Sequence, residues 1–244
     1  MIGPVVRAAL STADEVVVVD SGSTDNTPAI AEAAGARVIA HEWMGNGFQK
    51  RIAEDACKHD WLLDLDADEI VSLELAAEID ALFADGEPSQ KIFRTPVAID
   101  PPVGGPWLGF GGVTRHKLYD RRVVRAPAHK AWDQFSIPPG TEVGRLKEPI
   151  IHHAFENTEH LIGKLNSNSS TRAIELDPKP MPILILRIFF GLPFYVLKRY
   201  LLDGLFRGGV YGFAFSMMSG FGRWMRDVKM YERLRTRRRN DRPS

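Results

Sequence analysis

The sequence predicts an α/β fold, a mostly parallel sheet flanked by helices with an amphipathic helical appendage after it. Three observations predict it. From residue 15 onward, short β-branched runs alternate with helical patterns, as expected of parallel strands joined by crossover helices. Two acidic segments, 20–25 and 64–69, each follow an apolar run, which is where open α/β sheets place their ligands. Beyond residue 180 the chain turns strongly apolar, yet charges interrupt it.

Residues 2–10 read as a first helix. Residues 16–19, all valine, form a strand run, and Asp-Ser-Gly-Ser-Thr-Asp follows. Thr27 as N-cap with Pro28 at the first helical position opens a helix that Gly35 closes. Residues 37–40 are a second strand, 47–58 a helix, and 61–65 a third strand. Ser72 opens another helix, whose Leu75, Ile79 and Leu82 share a face. Prolines and glycines from Pro101 to Gly112 break any period, so residues 96–140 read as loop over a substrate. Residues 115–124 and 144–152 return as strands, and 159–175 as a helix.

The segment 181–221 is interrupted by Arg187, Pro193, Lys198, Arg199, Asp203 and Arg207, so no unbroken stretch reaches the ~20 apolar residues of a membrane-spanning helix. Its aromatics beside basic residues suit in-plane helices at a lipid–water boundary. The expected division is therefore 1–178 for the α/β domain and 179–244 for a basic, membrane-associating helical region.

The 244 residues carry 31 Lys and Arg against 31 Asp and Glu, and this balance hides an asymmetry. Acids dominate residues 1–90, whereas the tail from Arg223 is basic through Arg237, Arg238, Arg239 and Arg242. Such a run favours a polyanionic surface. A single cysteine, Cys57, excludes an internal disulfide and fits a reducing compartment. Residues 1–11 lack the basic start and apolar segment of a secretory signal.

Residues 61–69 read Trp-Leu-Leu-Asp-Leu-Asp-Ala-Asp-Glu. Stacking Asp64, Asp66, Asp68 and Glu69 at a strand end costs repulsion unless a cation neutralises them. A calcium-binding EF-hand loop starting at Asp64 fails, since it needs glycine where Glu69 stands and glutamate where Leu75 stands. An aspartyl-phosphate phosphatase is disfavoured by Asp68. A carboxylate pair holding Mg²⁺ or Mn²⁺ on a nucleotide diphosphate remains. Neither glycine-rich phosphate loop occurs, so Lys50 and Arg51 become candidates for the phosphates.

Val-Val-Val-Asp-Ser-Gly-Ser-Thr-Asp-Asn-Thr at 17–27, Gly-Phe-Gln-Lys at 47–50 and Leu-Asp-Ala-Asp-Glu at 65–69 together resemble family 2 glycosyltransferases, and within them the lipopolysaccharide core glucosyltransferase branch. The resemblance is specific over residues 13–85 and looser to 165. It implies a GT-A (Rossmann-like) fold and inverting transfer from a nucleotide sugar. It further implies donor contacts from Asp20, Ser21, Lys50 and Asp66, and metal ligation by Asp66 and Asp68; Asp64, inside the strand two residues before that pair, reads as a supporting residue. Leaving-group charge on the diphosphate would be stabilised by the metal, and a base would take the acceptor's proton.

Two departures from that pattern stand out. Where the branch shows His-Glu, this chain reads Ala-His-Lys-Ala-Trp-Asp at 128–133, so Asp133 is the first candidate base and His129 the second. His152 and His153 read as structural. The chain also opens almost inside the family's first helix, so a first strand is expected to be missing and Met1 to be internal to a longer reading frame. The expected function is metal-dependent glycosyl transfer to a lipid-linked or lipopolysaccharide glycan acceptor, at the inner face of the plasma membrane, with no nucleic acid partner. The alternatives are a catalytically impaired, membrane-associated nucleotide-binding relative and a metal-dependent phosphatase or nucleotidyltransferase.

Overall fold

A computed structural model describes residues 1–130 and 132–240, the last four by backbone alone. Arg237, Arg238, Arg239 and Arg242 of the basic tail therefore lie outside the described side chains. The chain forms two compact units: residues 1–98 with 113–153, and residues 99–112 with 154–244.

In the first unit, helix α1 (Ile2–Ala9) buries Ile2, Val5 and Val6. They pack on Ala31 and Ala36 and against Val16, Val18 and Val38. Strand β1 (Val17–Asp20) pairs in parallel with β2 (Arg37–Ala40), and α2 (Thr27–Ala33) is the crossover between them. The cap of α2 is Asn26 rather than Thr27, which puts Pro28 in the first turn. Gly35 sits at φ +105° just beyond the helix, a left-handed position that suits glycine at a helix end. Helix α3 (Asn46–Ala56) follows.

The larger sheet corrects the expectation of mostly parallel pairing. It runs in the order β3 (Trp61–Leu63), β6 (Val113–Asp120), β5 (Ile92–Ile99), β8 (Ile150–His152), β4 (Glu69–Val71), with β7 (Gly144–Arg145) on β5. β3 with β6, β5 with β6 and β4 with β8 are antiparallel. β1 with β2 and the short β5 with β7 are parallel. The physical reason lies in the connections. Between β5 and β6 there is a loop and no helix, so the chain returns beside itself in the opposite sense. β5 was hidden in the sequence because Pro96 lies inside it, and the expected strand 144–152 is two short ones.

Helix α4 (Leu73–Phe83) is capped as the sequence predicts, with Ser72 Oγ accepting from the Leu75 amide at 3.1 Å. It packs Leu75 and Ile79 on Val71, Phe93, Leu118 and Ile150 of the sheet. Each such fully buried aliphatic side chain contributes about 1.5–3 kcal/mol.

The second unit contains α5 (Thr158–Glu175), α6 (Met181–Leu197) and α7 (Gly209–Asn240). A π-helical turn, Lys198–Leu202, and a short 3₁₀ turn link the last two. Helix α5, which the sequence assigns to the α/β domain, clusters through Ala173 with Leu184 of α6 and Met230 of α7. α6 and α7 run antiparallel: Ile188 O accepts from Trp224 Nε1, and a Cβ on Gly220 would lie 2.6 Å from Val196 Cγ2. Helix and π turn form one continuous segment, Met181–Leu202, of mean hydropathy 1.7. By length and composition it is long enough to cross a membrane, which the interrupting charges had argued against.

Candidate active site

Lys50, on the first turns of α3, is the hub. Its Nζ lies 2.8 Å from Asp64, 3.2 Å from Asp66 and 3.0 Å from Asp133. Asp64 and Asp66 stand just past the end of β3, and Asp133 comes from the loop after β6. Burial alone would favour loss of the Lys50 proton, but the three carboxylates outweigh it and hold the ammonium well above the ordinary lysine value.

A second buried lysine completes the neutralisation. Lys117 of β6 is 2 % exposed and reaches Glu69 at 2.6 Å and Asp66 at 3.8 Å. Desolvation opposes ionisation of Asp66, but Lys117 and Lys50 override it and keep its carboxyl below the usual range. For Glu69 burial wins, and its carboxyl is pushed up despite Lys117. The turn between the acids is closed reciprocally: the Asp66 amide donates to Glu69 Oε2, and the Glu69 amide to Asp66 O, both at 3.0 Å. Asp68 faces His152 Nε2 at 3.4 Å.

The cation that the acidic run demanded is thus supplied in part by the protein itself. Two lysines and the His152 imidazole are thus set against five carboxylates, Asp64, Asp66, Asp68, Glu69 and Asp133. Among the described residues, no three His, Cys, Asp or Glu side chains converge as a closed metal site. Asp66 and Asp68 could give a hard divalent ion two oxygens, with phosphate oxygens and water completing its shell.

The loop carrying Asp133 is fixed by the start of α3. No side chain caps this helix. Instead the Asn46 amide donates to Lys130 O at 2.9 Å and the Gly47 amide to His129 O at 3.0 Å, satisfying donors that a helix start leaves open. His129 Nδ1 accepts from the Trp132 amide at 3.0 Å, holding the loop's turn. Ala131 of this motif lies outside the described residues. A Cβ on Gly47 would collide with the carbonyl oxygens of Pro127, His129 and Trp132. Gly47→Ala is therefore expected to displace the Asp133 loop and to cost about 1–3 kcal/mol, read by denaturant unfolding. A wild-type unfolding midpoint would show that the loop is not anchored there.

Asp20 shapes its own loop. Its carboxylate accepts from the Ser23 hydroxyl and, at 3.1 Å, from each of the amides of Gly22 and Ser23. These bonds, the hydroxyl first, hold its carboxyl below the usual range against slight burial. Ser21 Oγ accepts from Gln49 Nε2 at 2.7 Å, which ties the end of β1 to α3.

The structure thus joins Lys50, Asp66 and Asp133, sets Asp68 on His152, and ties Ser21 to α3 through Gln49. Sequence reasoning missed Lys117, and it read His152 as structural without placing it beside Asp68. Lys117 carried one usable signal, a lone lysine leading into the apolar Leu118 and Tyr119 of its strand. His152 carried none, since its register opposite Glu69 is set by β4 pairing with β8.

Residues 1–129 match the family described as glycosyl transferase family 2. An uncharacterized glycosyltransferase of Rickettsia felis is 32% identical over 235 residues, covering 91% of this chain and 81% of that one. The lipopolysaccharide core biosynthesis glycosyltransferase LpsC of Rhizobium meliloti is 27% identical over 235 residues, covering 90% and 83%. Among solved structures, S. aureus TarS 1-349 is 14% identical with a TM-score of 0.45, covering 98% of this chain and 89% of that chain.

Proposed function

Because the chain belongs to glycosyl transferase family 2, we propose that it moves a sugar, with inversion, from a nucleotide-sugar donor to a lipid-linked or lipopolysaccharide glycan acceptor. The observation that carries this reading is the meeting of Asp64, Asp66 and Asp133 on one ammonium group, Lys50. It gathers in one place a carboxylate for a metal, a cation for phosphate and a carboxylate for a proton. The acceptor class is supported by the likeness to LpsC.

In this reading Asp66 and Asp68 hold Mg²⁺ or Mn²⁺, which would neutralise charge on the departing diphosphate. Lys50 reorients from the carboxylates toward the phosphates. Asp133 accepts the acceptor hydroxyl's proton as that oxygen attacks the anomeric carbon and the bond to the diphosphate breaks. Asp20 and Ser21, on the loop after β1, contact the nucleoside. The exposed apolar residues of α6 support work at a membrane surface, which we place on the cytosolic side.

The test is release of nucleoside diphosphate from a panel of nucleotide sugars, with and without Mn²⁺. Release of inorganic phosphate or pyrophosphate instead would identify a phosphatase or nucleotidyltransferase, and binding without turnover an impaired relative. Asp68→Ala is expected to remove Mn²⁺-dependent turnover and the Mn²⁺-dependent rise in melting temperature with nucleotide. Wild-type behaviour of that variant would sink the metal assignment.

A further inference from the structure

We infer that the second unit carries a binding pocket for the phosphate of an anionic membrane lipid. The inference goes beyond transfer chemistry, but it rests on the proposed work at a membrane surface.

A cavity of about 520 Å³ is lined by Lys179, which follows α5, by Arg187, Phe194 and Lys198 along α6 and the turn after it, and by Arg223 and Arg226 of α7. Such a volume lies within the range that holds a small ligand or headgroup. Asp177 at the rim is the acid among its lining residues. Beneath it the fully buried Asp227 accepts from Arg187 at 2.9 Å, Arg226 at 3.0 Å and the Tyr195 hydroxyl at 2.7 Å. One carboxylate thus holds two guanidinium groups, fixing their orientation and leaving an excess positive charge. Arg223 stands over the Tyr195 ring at 5.8 Å. Guanidinium forks held this way suit phosphate oxygens.

A bilayer lipid rather than a dissolved anion is indicated by what adjoins the pocket. Leu186, Phe189, Phe190, Phe194, Leu197 and Leu201 are each more than half exposed, and their three- and four-residue spacing puts them on one side of the helix. Phe194 belongs both to this stripe and to the pocket wall. Soluble surfaces rarely carry contiguous apolar patches beyond a few hundred Å². An apolar stripe ending in a basic pocket fits a helix lying in the interface, with the stripe among acyl chains and the pocket at headgroup level.

The full chain is tested by flotation with phosphatidylcholine vesicles, with and without phosphatidylglycerol. The wild type is expected to prefer the anionic vesicles. Lys179→Ala with Arg223→Ala should lower partitioning onto them by roughly 25-fold, since each basic residue near such a surface contributes about fivefold, and should leave the weaker binding to phosphatidylcholine in place. Leu186→Ser with Phe190→Ser should weaken binding to both vesicle types. Lys179→Gln alone, with an unchanged melting temperature, gives the same direction in a variant that makes no packing change.

An undiminished anionic preference in the double alanine variant overturns the pocket. Saturation by inorganic phosphate without any vesicle binding also overturns it, identifying a soluble anion site. Retention in the bilayer after alkaline carbonate washing overturns it as well, by making α6 a span. The proposed transfer reaction is read separately by nucleoside diphosphate release, so vesicle binding without release, or release without vesicle binding, shows which of the two has failed.

Discussion

Asp133→Asn is expected to lower glycosyl transfer by about 10²–10⁴-fold, the range for loss of a positioned general base, while donor binding is kept. The asparagine amide matches aspartate in shape but cannot accept the proton. Lys50 retains Asp64 at 2.8 Å and Asp66 at 3.2 Å, so the part of the site proposed to hold the diphosphate stays assembled. Two measurements separate the roles. Donor-induced melting shifts with Mn²⁺ should match the wild type, and transfer to a core-oligosaccharide panel should fall. A rate within a few-fold of wild type would move the base elsewhere, and His129 would be next to test. A lost donor shift would instead make Asp133 part of the donor site.

Lys50→Met should be the most damaging single change to the first unit. Asp64 is only 12% exposed at its side chain and Lys50 16%, and removing one partner of a buried pair leaves an uncompensated charge. The general cost is about 3–5 kcal/mol, and partial exposure together with neighbouring Lys117 should bring it to about 2–4 kcal/mol. Turnover should fall as well, because the same ammonium is proposed to meet the diphosphate. Lys50→Arg separates the two effects: it keeps the charge and should recover most of the stability, with turnover still reduced by the different reach of the guanidinium. Stability of Lys50→Met equal to wild type would mean that the carboxylates are satisfied by water or by a bound cation instead.

Local signals in the chain were legible where the physics is local. The valine run before Asp20, the proline in the first turn of α2, the Ser72 cap and the apolar face of α4 all depend on residues a few positions apart, and each is found. Pairing direction is not local. The sequence alternates strand and helix only as far as α4; beyond it the sense of each strand depends on how the loops after α4 and β5 return the chain. Strand β5 was invisible because Pro96 and the following Pro-Gly-rich segment masked its apolar positions, although six of its eight residues contact β6. Membership of α5 in the second unit was equally hidden, since it depends on Ala173 meeting Leu184 and Met230.

The same division runs through the site. By itself the sequence determined that carboxylates gather at the end of β3, that this gathering needs neutralising, and that the three motifs stand in the order and spacing of family 2 glycosyltransferases. Only the tertiary structure decided which groups neutralise them. Lys50 lies 14 residues before Asp64, Lys117 lies 48 residues after Glu69, and Asp133 arrives on a loop held by α3. Coulomb energy depends on distance in space, and separation along the chain says little about it until the backbone has folded. An acidic run can therefore be read from the sequence as an unmet electrostatic demand, whereas its lysine partners emerge only from the pairing of β3 with β6 and the docking of the Asp133 loop on α3.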